Sequence, residues 1–381
     1  MKKIYPVIVV GGGQAGLSAA YYLRRKKIGY LVLDANNEPG GSWHKTWASL
    51  RLFSPSEYSS LSGWAMPKTE QEYPSKNEFI DYLTQYENRY GFPVQRQTTV
   101  LSVKREDDDV FHLQTNQGDF YAEAVVMATG TASGARIPMY PGIERFQGEQ
   151  LHSVAYEGIE QFIDKKVLVV GAGNTGAQIF SELAEVAQVT WTSKHLPKYL
   201  PDDVDGRYLF SGATQKYLAM KNGKEVLGKS AEQSPNQSMD QSSDKNAAQT
   251  TDQPSEQKTE TPINLGNIVM VEPVRKARDK GLLKARIADF TIEEQGVTWG
   301  DGSQQEFDAI IWATGFKAKL NMLEPLGIVQ DGRVKTEETR ALDIDGLWLV
   351  GLGDWTGFAS ATIYGVGKTA REMANQVVSY L

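Results

Sequence analysis

Two glycine-rich turns constrain this chain more than any other feature: Gly11-Gly12-Gly13-Gln14-Ala15-Gly16 near the start and Gly171-Ala172-Gly173-Asn174-Thr175-Gly176 further on. Each follows an apolar run of strand length (5–10 and 167–170). Each opens a helical stretch (15–26 and 175–187) that leads into another strand (30–33 and 188–192). A strand, turn, helix and strand unit therefore occurs twice, as a duplicated module rather than a solenoid repeat. In such a unit the first glycine permits the tight turn and the second lets the backbone approach a pyrophosphate. The third allows close helix–strand packing, and the helix N-terminus faces the phosphate charge. One glycine turn alone is a weak signal, but with strand and helix in place on both occasions two dinucleotide sites are predicted.

The apolar runs at 5–10, 30–33, 167–170 and 347–350 lack period-two alternation, which predicts parallel strands covered on both faces. The expected fold is α/β, with two Rossmann-like dinucleotide-binding domains. A length of 381 residues suits two cores better than one. Ala128-Thr129-Gly130 and Ala313-Thr314-Gly315 each follow an apolar strand and bracket the second turn, which marks them as domain crossings. The expected division is residues 1–153 and 316–381 for one domain, with 154–315 inserted as the other. Within the insert, residues 230–262 collapse to Ser, Gln, Asn, Asp, Lys, Thr and Pro, with Met239 the one large apolar side chain. Such a stretch cannot bury enough surface to offset its ordering entropy, so a disordered insertion is expected there, the alternative being a docking tail.

The two copies differ where their second strands end. Asp34 closes the first, placed to accept hydrogen bonds from ribose hydroxyls. The same count from Gly171 reaches Lys194, between Ser193 and His195, with no acid present. A carboxylate there would repel a 2′-phosphate, whereas Lys, Ser and a protonatable His accept one, so NADPH is expected. NADH is tolerated in this reading because no Arg offers a bidentate fork; the plainer alternative is that Lys194 is a solvated loop charge. A net charge of −7 gives no basic field for nucleic acid or an anionic membrane. The absence of cysteine excludes disulfides, thiolate metal sites and Cys nucleophiles. Met1-Lys2-Lys3 and the following apolar run have the pattern of a secretory signal, but the run flows into the glycine turn and reads better as a first strand. No apolar stretch approaches the roughly 20 residues of a membrane helix, and a cytoplasmic protein acting on a small molecule is expected.

The C-terminal segment separates the two sites. The run at 347–350 leads into Gly351-Leu352-Gly353-Asp354, then Trp355 and a helical stretch from Gly365. This resembles the second flavin motif of two-dinucleotide-binding flavoproteins, which implies that Asp354 meets the ribityl chain and that FAD occupies the first turn. Phe146-Gln147-Gly148-Glu149-Gln150-Leu151-His152-Ser153-Val154-Ala155-Tyr156 matches Phe-x-Gly-x-x-x-His-x-x-x-Trp/Tyr, and Pro39-Gly40-Gly41-Ser42-Trp43 contains Gly-Gly-x-Trp. On these motifs the chain resembles the flavin-containing monooxygenases, over its whole length apart from the Ser/Gln-rich stretch.

The resemblance implies FAD held by Gly11, Gly13, Gln14, Ala15, Gly16, Asp34, Gly41, Ser42, Trp43, Ala128, Gly130, Gly351 and Asp354. It implies NAD(P)H held by Gly171, Gly173, Asn174, Thr175, Gly176, Ser193, Lys194, His195, Ala313, Thr314 and Gly315. Hydride would pass from NADPH to flavin, and a flavin C4a-hydroperoxide would then oxidise sulfur, nitrogen or a ketone carbon. His152 has an ordering role in the domain link, alongside Phe146, Gly148 and Tyr156. The segment carrying Trp43, Trp47, Phe53, Tyr58 and Trp64 is too broken by Ser and Pro for one regular element, so it is expected to wall the pocket, with Trp43 and Trp47 nearest the ring. No metal is needed, and His44, His112, His152 and His195 are too dispersed to suggest one.

One departure is visible. Many members of that family carry an Asn in the loop after the flavin segment, and Leu50-Arg51-Leu52-Phe53-Ser54-Pro55 has none; Ser54 or Asn77 are the substitutes at hand. This leaves an NAD(P)H oxidase or diaphorase releasing hydrogen peroxide as an alternative, and a non-catalytic nucleotide sensor as a third. A disulfide reductase is excluded by the missing cysteines.

Overall fold

The computed structural model describes residues 2–202, 204 and 267–381, so the predicted insertion at 230–262 lies outside the described residues. Two sheets organise these residues. The first contains β1 (Ile4–Val10), β2 (Tyr30–Leu33), β3 (Val94–Gln95), β4 (Val100–Arg105), β5 (Phe111–Thr115) and β6 (Gly118–Met127). The second contains β7 (Glu149–His152), β8 (Lys166–Val170), β9 (Gln188–Ser193), β10 (Ala285–Ile287) and β14 (Ala309–Trp312). A small antiparallel sheet of β11 (Phe290–Glu293), β12 (Gly296–Trp299) and β13 (Gln304–Glu306) lies beside it. After the two-stranded β15 (Val329–Gln330) and β16 (Arg333–Val334), the chain returns to the first sheet through β17 (Thr336–Glu337), β18 (Arg340–Ala341) and β19 (Leu347–Leu349). The helices are α1 (Gln14–Arg25), α2 (Lys76–Tyr90), α3 (Asn174–Leu183), α4 (Glu272–Asp279) and α5 (Ile363–Tyr380).

The continuous apolar runs act as expected for strands covered on both faces. In β1, Val7 and Val9 pack into the core shared with α1, α2 and α5, while Ile8 and Val10 pack into a separate core beneath β4 and β5. In β8, Val167 and Val169 face α3, and Leu168 and Val170 face Phe290, Val297 and Trp312. Each such buried Val, Ile or Leu contributes roughly 1.5–3 kcal/mol. All neighbours in the order β10-β9-β8-β14-β7 are parallel, as are β19, β6, β1, β2 and β3 in the first sheet. The fold is therefore α/β with one Rossmann-like unit inserted in the other.

The strand pairing corrects the expected boundary at 153. β7 pairs with β14, Trp312 opposite His152, so residues 149–152 belong to the inserted sheet as its edge strand. The two crossings run side by side: Ala135 bridges Phe316, Arg136 N–H donates to Gly315 O at 3.1 Å, and Lys317 N–H donates to Gly134 O at 2.8 Å. Gly134 tolerates no side chain, because a Cβ there would lie 1.9 Å from Lys317 O.

Candidate functional site

The first glycine turn is shaped by close approach. Gly11 has φ +109°, and a Cβ on it would lie 2.4 Å from Ala128 O. One on Gly16 would lie 1.7 Å from Gly11 O, so α1 sits directly on the turn. Gly13 caps α1 with no side-chain acceptor, and the helix's first turn carries no acid. The leading N–H groups and the positive end of the helix are thus left for an anion. They face a cavity of about 380 Å³ whose lining includes Gly11, Gly13, Gln14, Ala15, Asp34, Gly41, Ser42, Trp43, Ala128, Gly130 and Gly351. Gly16 stands behind this wall. Asp354 is exposed and is not part of the lining, unlike Gly351 of the same segment.

Asp34 is 3% exposed, packed against the backbone of Gly12. Its Oδ1 accepts from Asn36 Nδ2 at 3.1 Å, and its Oδ2 pairs with Arg96, whose other amino group pairs with Glu87. Arg96 follows β3, which lies beside β2 in the sheet. It carries no sequence signal, because only the sheet order brings it to Asp34. Trp43 Nε1–H donates to Gln14 Oε1 at 3.0 Å and the indole meets Phe79 edge-on, which fixes Trp43 at the cavity wall. Gln14 Nε2–H in turn reaches Ala361 O at 3.4 Å, joining the turn to the loop before α5.

Trp47 corrects an expectation. It is 3% exposed in the core of the inserted domain and meets Tyr156 edge-on at 5.9 Å, so it is not beside Trp43 at the cavity. Trp43 sits within a 3-10 turn, Gly41–Lys45, and Trp47 lies beyond its end. Ser54 is also withdrawn: it is 4% exposed and hydrogen-bonds Ser59 Oγ at 3.0 Å. Asn77 is exposed and does not line the cavity.

The second turn repeats the first. Gly171 has φ +131° with Ala313 O 2.1 Å from a hypothetical Cβ, and Gly176 has Gly171 O at 2.2 Å. Gly173 caps α3 without a side-chain acceptor or an acid in the first turn, and a Cβ on it would meet nothing within 4 Å. Asn174 Oδ1 accepts from Val269 N–H at 2.8 Å and its Nδ2–H donates to Asn267 O at 3.2 Å, which secures the start of α3, with Thr175 next in the same turn.

The register corrects which residue stands opposite Asp34. Val10 pairs with Leu33, and Val170 pairs with Thr192. Gly11 N–H donates to Leu33 O and Gly171 N–H to Thr192 O, each at 2.8 Å. Ser193, not Lys194, is therefore the counterpart of Asp34, because the second connection is one residue shorter. Ser193 is 3% exposed, with its hydroxyl donating to His195 O at 2.5 Å, while Lys194 and His195 are exposed at the strand end. No acid occupies any of the three positions.

The crossing carries the remaining motif. His152 Nδ1 accepts from Val154 N–H at 3.2 Å, so Nε2 bears the proton and donates to Gly315 O at 3.0 Å. Burial holds its pKa below the ordinary imidazole value, and the imidazole is a neutral tie between the crossings rather than a proton carrier. Thr314 donates to Arg136 O in the same knot. Phe146 packs beside Trp312, and Gly148 leaves no room for a Cβ against Asp308 O. Tyr156 is 1% exposed and its hydroxyl donates to Glu182 Oε2 at 3.3 Å. A second cavity, about 470 Å³ and lined by His44–Thr46, Ala132, Ser133, Ala135 and Val154–Glu157, shares Lys45, Ala132 and Ser133 with the first.

Two glycine turns, each opening a helix that no side chain caps, on two sheets joined by paired crossings, define the class of two-nucleotide oxidoreductases. The profile of the pyridine nucleotide-disulphide oxidoreductases matches residues 8–266. A flavin-containing monooxygenase from Stenotrophomonas maltophilia has a solved structure with 38% identity and a TM-score of 0.83, covering 100% of this chain and 99% of that one. An uncharacterized CzcO-like oxidoreductase of Geobacillus kaustophilus is 30% identical over 381 residues, covering 100% of both chains. An indole-3-pyruvate monooxygenase of Oryza sativa subsp. japonica is 26% identical, covering 97% of this chain and 90% of its own. The chain belongs to the pyridine nucleotide-disulphide oxidoreductase family and, within it, to the flavin-containing monooxygenases. It is a flavoprotein oxidoreductase. Among the described residues no helix is long and apolar enough to cross a membrane.

Proposed function

We propose that this chain is a monooxygenase that holds FAD at the first glycine turn, takes NADPH at the second, and oxidises a small molecule at sulfur, nitrogen or a ketone carbon. The observation that carries the assignment is an orphaned atom. Thr129 Oγ1 is buried with no partner in the wall of the first cavity, beside helix N–H groups that no side chain caps. A bound dinucleotide satisfies both.

When bound, FAD would supply the redox chemistry, passing the electrons of NADPH to O₂ so that one oxygen atom reaches the substrate and the other leaves as water. The α1 N-terminus and Gly13 would hold the pyrophosphate, and Asp34, oriented by Arg96, would accept from the adenosine ribose. Trp43 and Ser42 line the first cavity, which meets the second one at Lys45, Ala132 and Ser133. That junction is where nicotinamide and substrate approach. Lys194 stands at the second site for the 2′-phosphate, with Ser193 leaving no carboxylate to repel it.

A second reading has its own support. Ser54 is spent on Ser59, the 50–55 loop has no Asn, and none of its residues lines the first cavity. This favours an NAD(P)H oxidase that releases hydrogen peroxide. The test is anaerobic bleaching of the FAD-loaded protein by NADPH, followed by oxygen with a panel of thioethers, amines and cyclic ketones. Product formed in step with NADPH consumed supports oxygenation; peroxide equal to NADPH consumed with every compound refutes it. Failure to bleach refutes both readings.

A further inference from the structure

Glu182 lies in the last turn of α3, about 9 Å along the helix from Gly176 at 1.5 Å per residue. Three donors from outside the helix converge on its carboxylate. Trp47 Nε1–H at 3.0 Å and Ser49 Oγ–H at 2.7 Å share Oε1, and the Tyr156 hydroxyl reaches Oε2 at 3.3 Å. Trp47 and Ser49 continue the segment whose earlier residues, Gly41 to Trp43, line the first cavity, and Tyr156 ends the 3-10 turn, Ser153–Ala155, that follows β7.

The place is unfavourable for an acid. A helix C-terminus is the negative end of its dipole, and α3 has no basic residue in its last turn. Burial pushes the Glu182 carboxyl up, Glu160 adds a like charge, and the three donors oppose these effects. An apolar side chain of similar volume would fill this space at lower desolvation cost. What the carboxylate adds is direction: it fixes the Trp47 indole and the Ser49 hydroxyl relative to α3, and so fixes the flavin segment relative to the helix whose other end forms the second turn.

We propose that Glu182 is a positioning residue that locks α3 against the flavin segment through Trp47, Ser49 and Tyr156, and so sets the rate of hydride transfer without touching either cofactor. This rests on the assignment of NADPH to the second turn.

The test uses the full FAD-loaded chain with Glu182→Ala and Glu182→Gln, the latter keeping a carbonyl acceptor for Trp47 and Ser49. The first readout, taken without NADPH, is hydrogen exchange at Ala48 and Leu50, whose N–H groups donate to Glu157 O and Trp47 O. The second is the anaerobic rate of flavin reduction at saturating NADPH, with dithionite reduction and FAD content as references. Glu182→Ala is expected to speed exchange at both amides by about tenfold or more. It should also slow reduction by NADPH about 10- to 100-fold while leaving dithionite reduction and FAD content unchanged. Glu182→Gln is expected within about threefold of wild type on both readouts, since most of the acceptor geometry survives.

If Glu182→Ala does not fold, Trp47→Phe keeps a ring in the core, removes the donor, and is expected to shift both readouts in the same direction. Wild-type exchange and reduction rates in the folded variant overturn the proposal, and so does a Glu182→Gln as impaired as Glu182→Ala. If NADPH does not reduce the wild-type protein, the second-turn assignment falls, while unchanged exchange in Glu182→Ala still refutes the lock.

Discussion

Gly173→Ala separates the protein's need for a glycine from a ligand's need. Gly173 has φ −88° and ψ 179°, ordinary extended backbone, and an added Cβ meets nothing of the protein within 4 Å. The change replaces a neutral N-cap by a poor one, a loss of roughly 1 kcal/mol or less. It also restricts the unfolded chain, a gain of about 0.4–1 kcal/mol. The two effects nearly offset, so the melting temperature should move by only a few degrees. A pyrophosphate seated on the α3 N-terminus does feel the methyl group. Pushed outward, it loses at least one charge-assisted N–H bond worth about 1.5–3 kcal/mol. The KM for NADPH should then rise roughly 10- to 150-fold, at 1.4 kcal/mol per factor of ten. Bound FAD should stay at wild-type level, because the first turn is on the other sheet. The assay is steady-state KM with FAD absorbance and a thermal melt on the same preparation. A KM within about twofold of wild type, at unchanged melt, would refute the claim that this turn takes the cofactor. Gly176→Ala is the contrasting control: its Cβ would lie 2.2 Å from Gly171 O, so the fold itself should be destabilised.

Lys194→Ala should raise the KM for NADPH about tenfold and leave that for NADH within about twofold, since one exposed charge on a phosphate is at stake; equal changes for both nucleotides would remove Lys194 from the site. Trp43→Phe deletes the hydrogen bond to Gln14 Oε1 but keeps the edge-on packing on Phe79, so FAD should be retained about three- to tenfold more weakly, read by equilibrium dialysis; unchanged retention would mean that the indole N–H does no positioning. His152 has a pKa below its ordinary 6.5 in the folded chain, so the unfolded chain takes up its proton first on acidification. Stability from this group is complete above about pH 6.5 and declines as pH falls toward the lowered value. Melting curves between pH 7.5 and 5 should show that decline reduced in His152→Gln, and an identical pH slope would exclude the assignment.

What the sequence disclosed about the fold was carried by glycines and by strands buried on both sides. A glycine is informative because the constraint on it is local: Gly11, Gly16, Gly171 and Gly176 are each required by a backbone oxygen that an added Cβ would strike. The runs in β1 and β8 are legible for a similar reason, since Val7 to Val10 and Val167 to Val170 each meet a core on one face or the other. β7 escaped notice because Glu149-Gln150-Leu151-His152 is an edge strand with partners on one side only, and three of its four residues are polar.

Specificity is decided by residues of another kind, whose roles depend on chain that arrives from elsewhere. Asp34 reads correctly as an acid at a strand end, but its orientation belongs to Arg96, placed by β3. Trp43 and Trp47 look equivalent in sequence, yet one lines the first cavity and the other is buried in the inserted domain, because Trp43 sits within a 3-10 turn, Gly41–Lys45, and Trp47 follows it. Counting from Gly171 reaches Lys194, whereas the hydrogen bond from Gly171 to Thr192 makes Ser193 the counterpart of Asp34. The shift matters chemically. At the inner position a buried hydroxyl occupied with His195 replaces a buried carboxylate, and the cation stands one residue outward, exposed. In the proposed assignment the absence of the acid leaves room for a 2′-phosphate, which Lys194 would attract across solvent. Such a contact would discriminate NADPH from NADH by about tenfold at most rather than by several orders of magnitude.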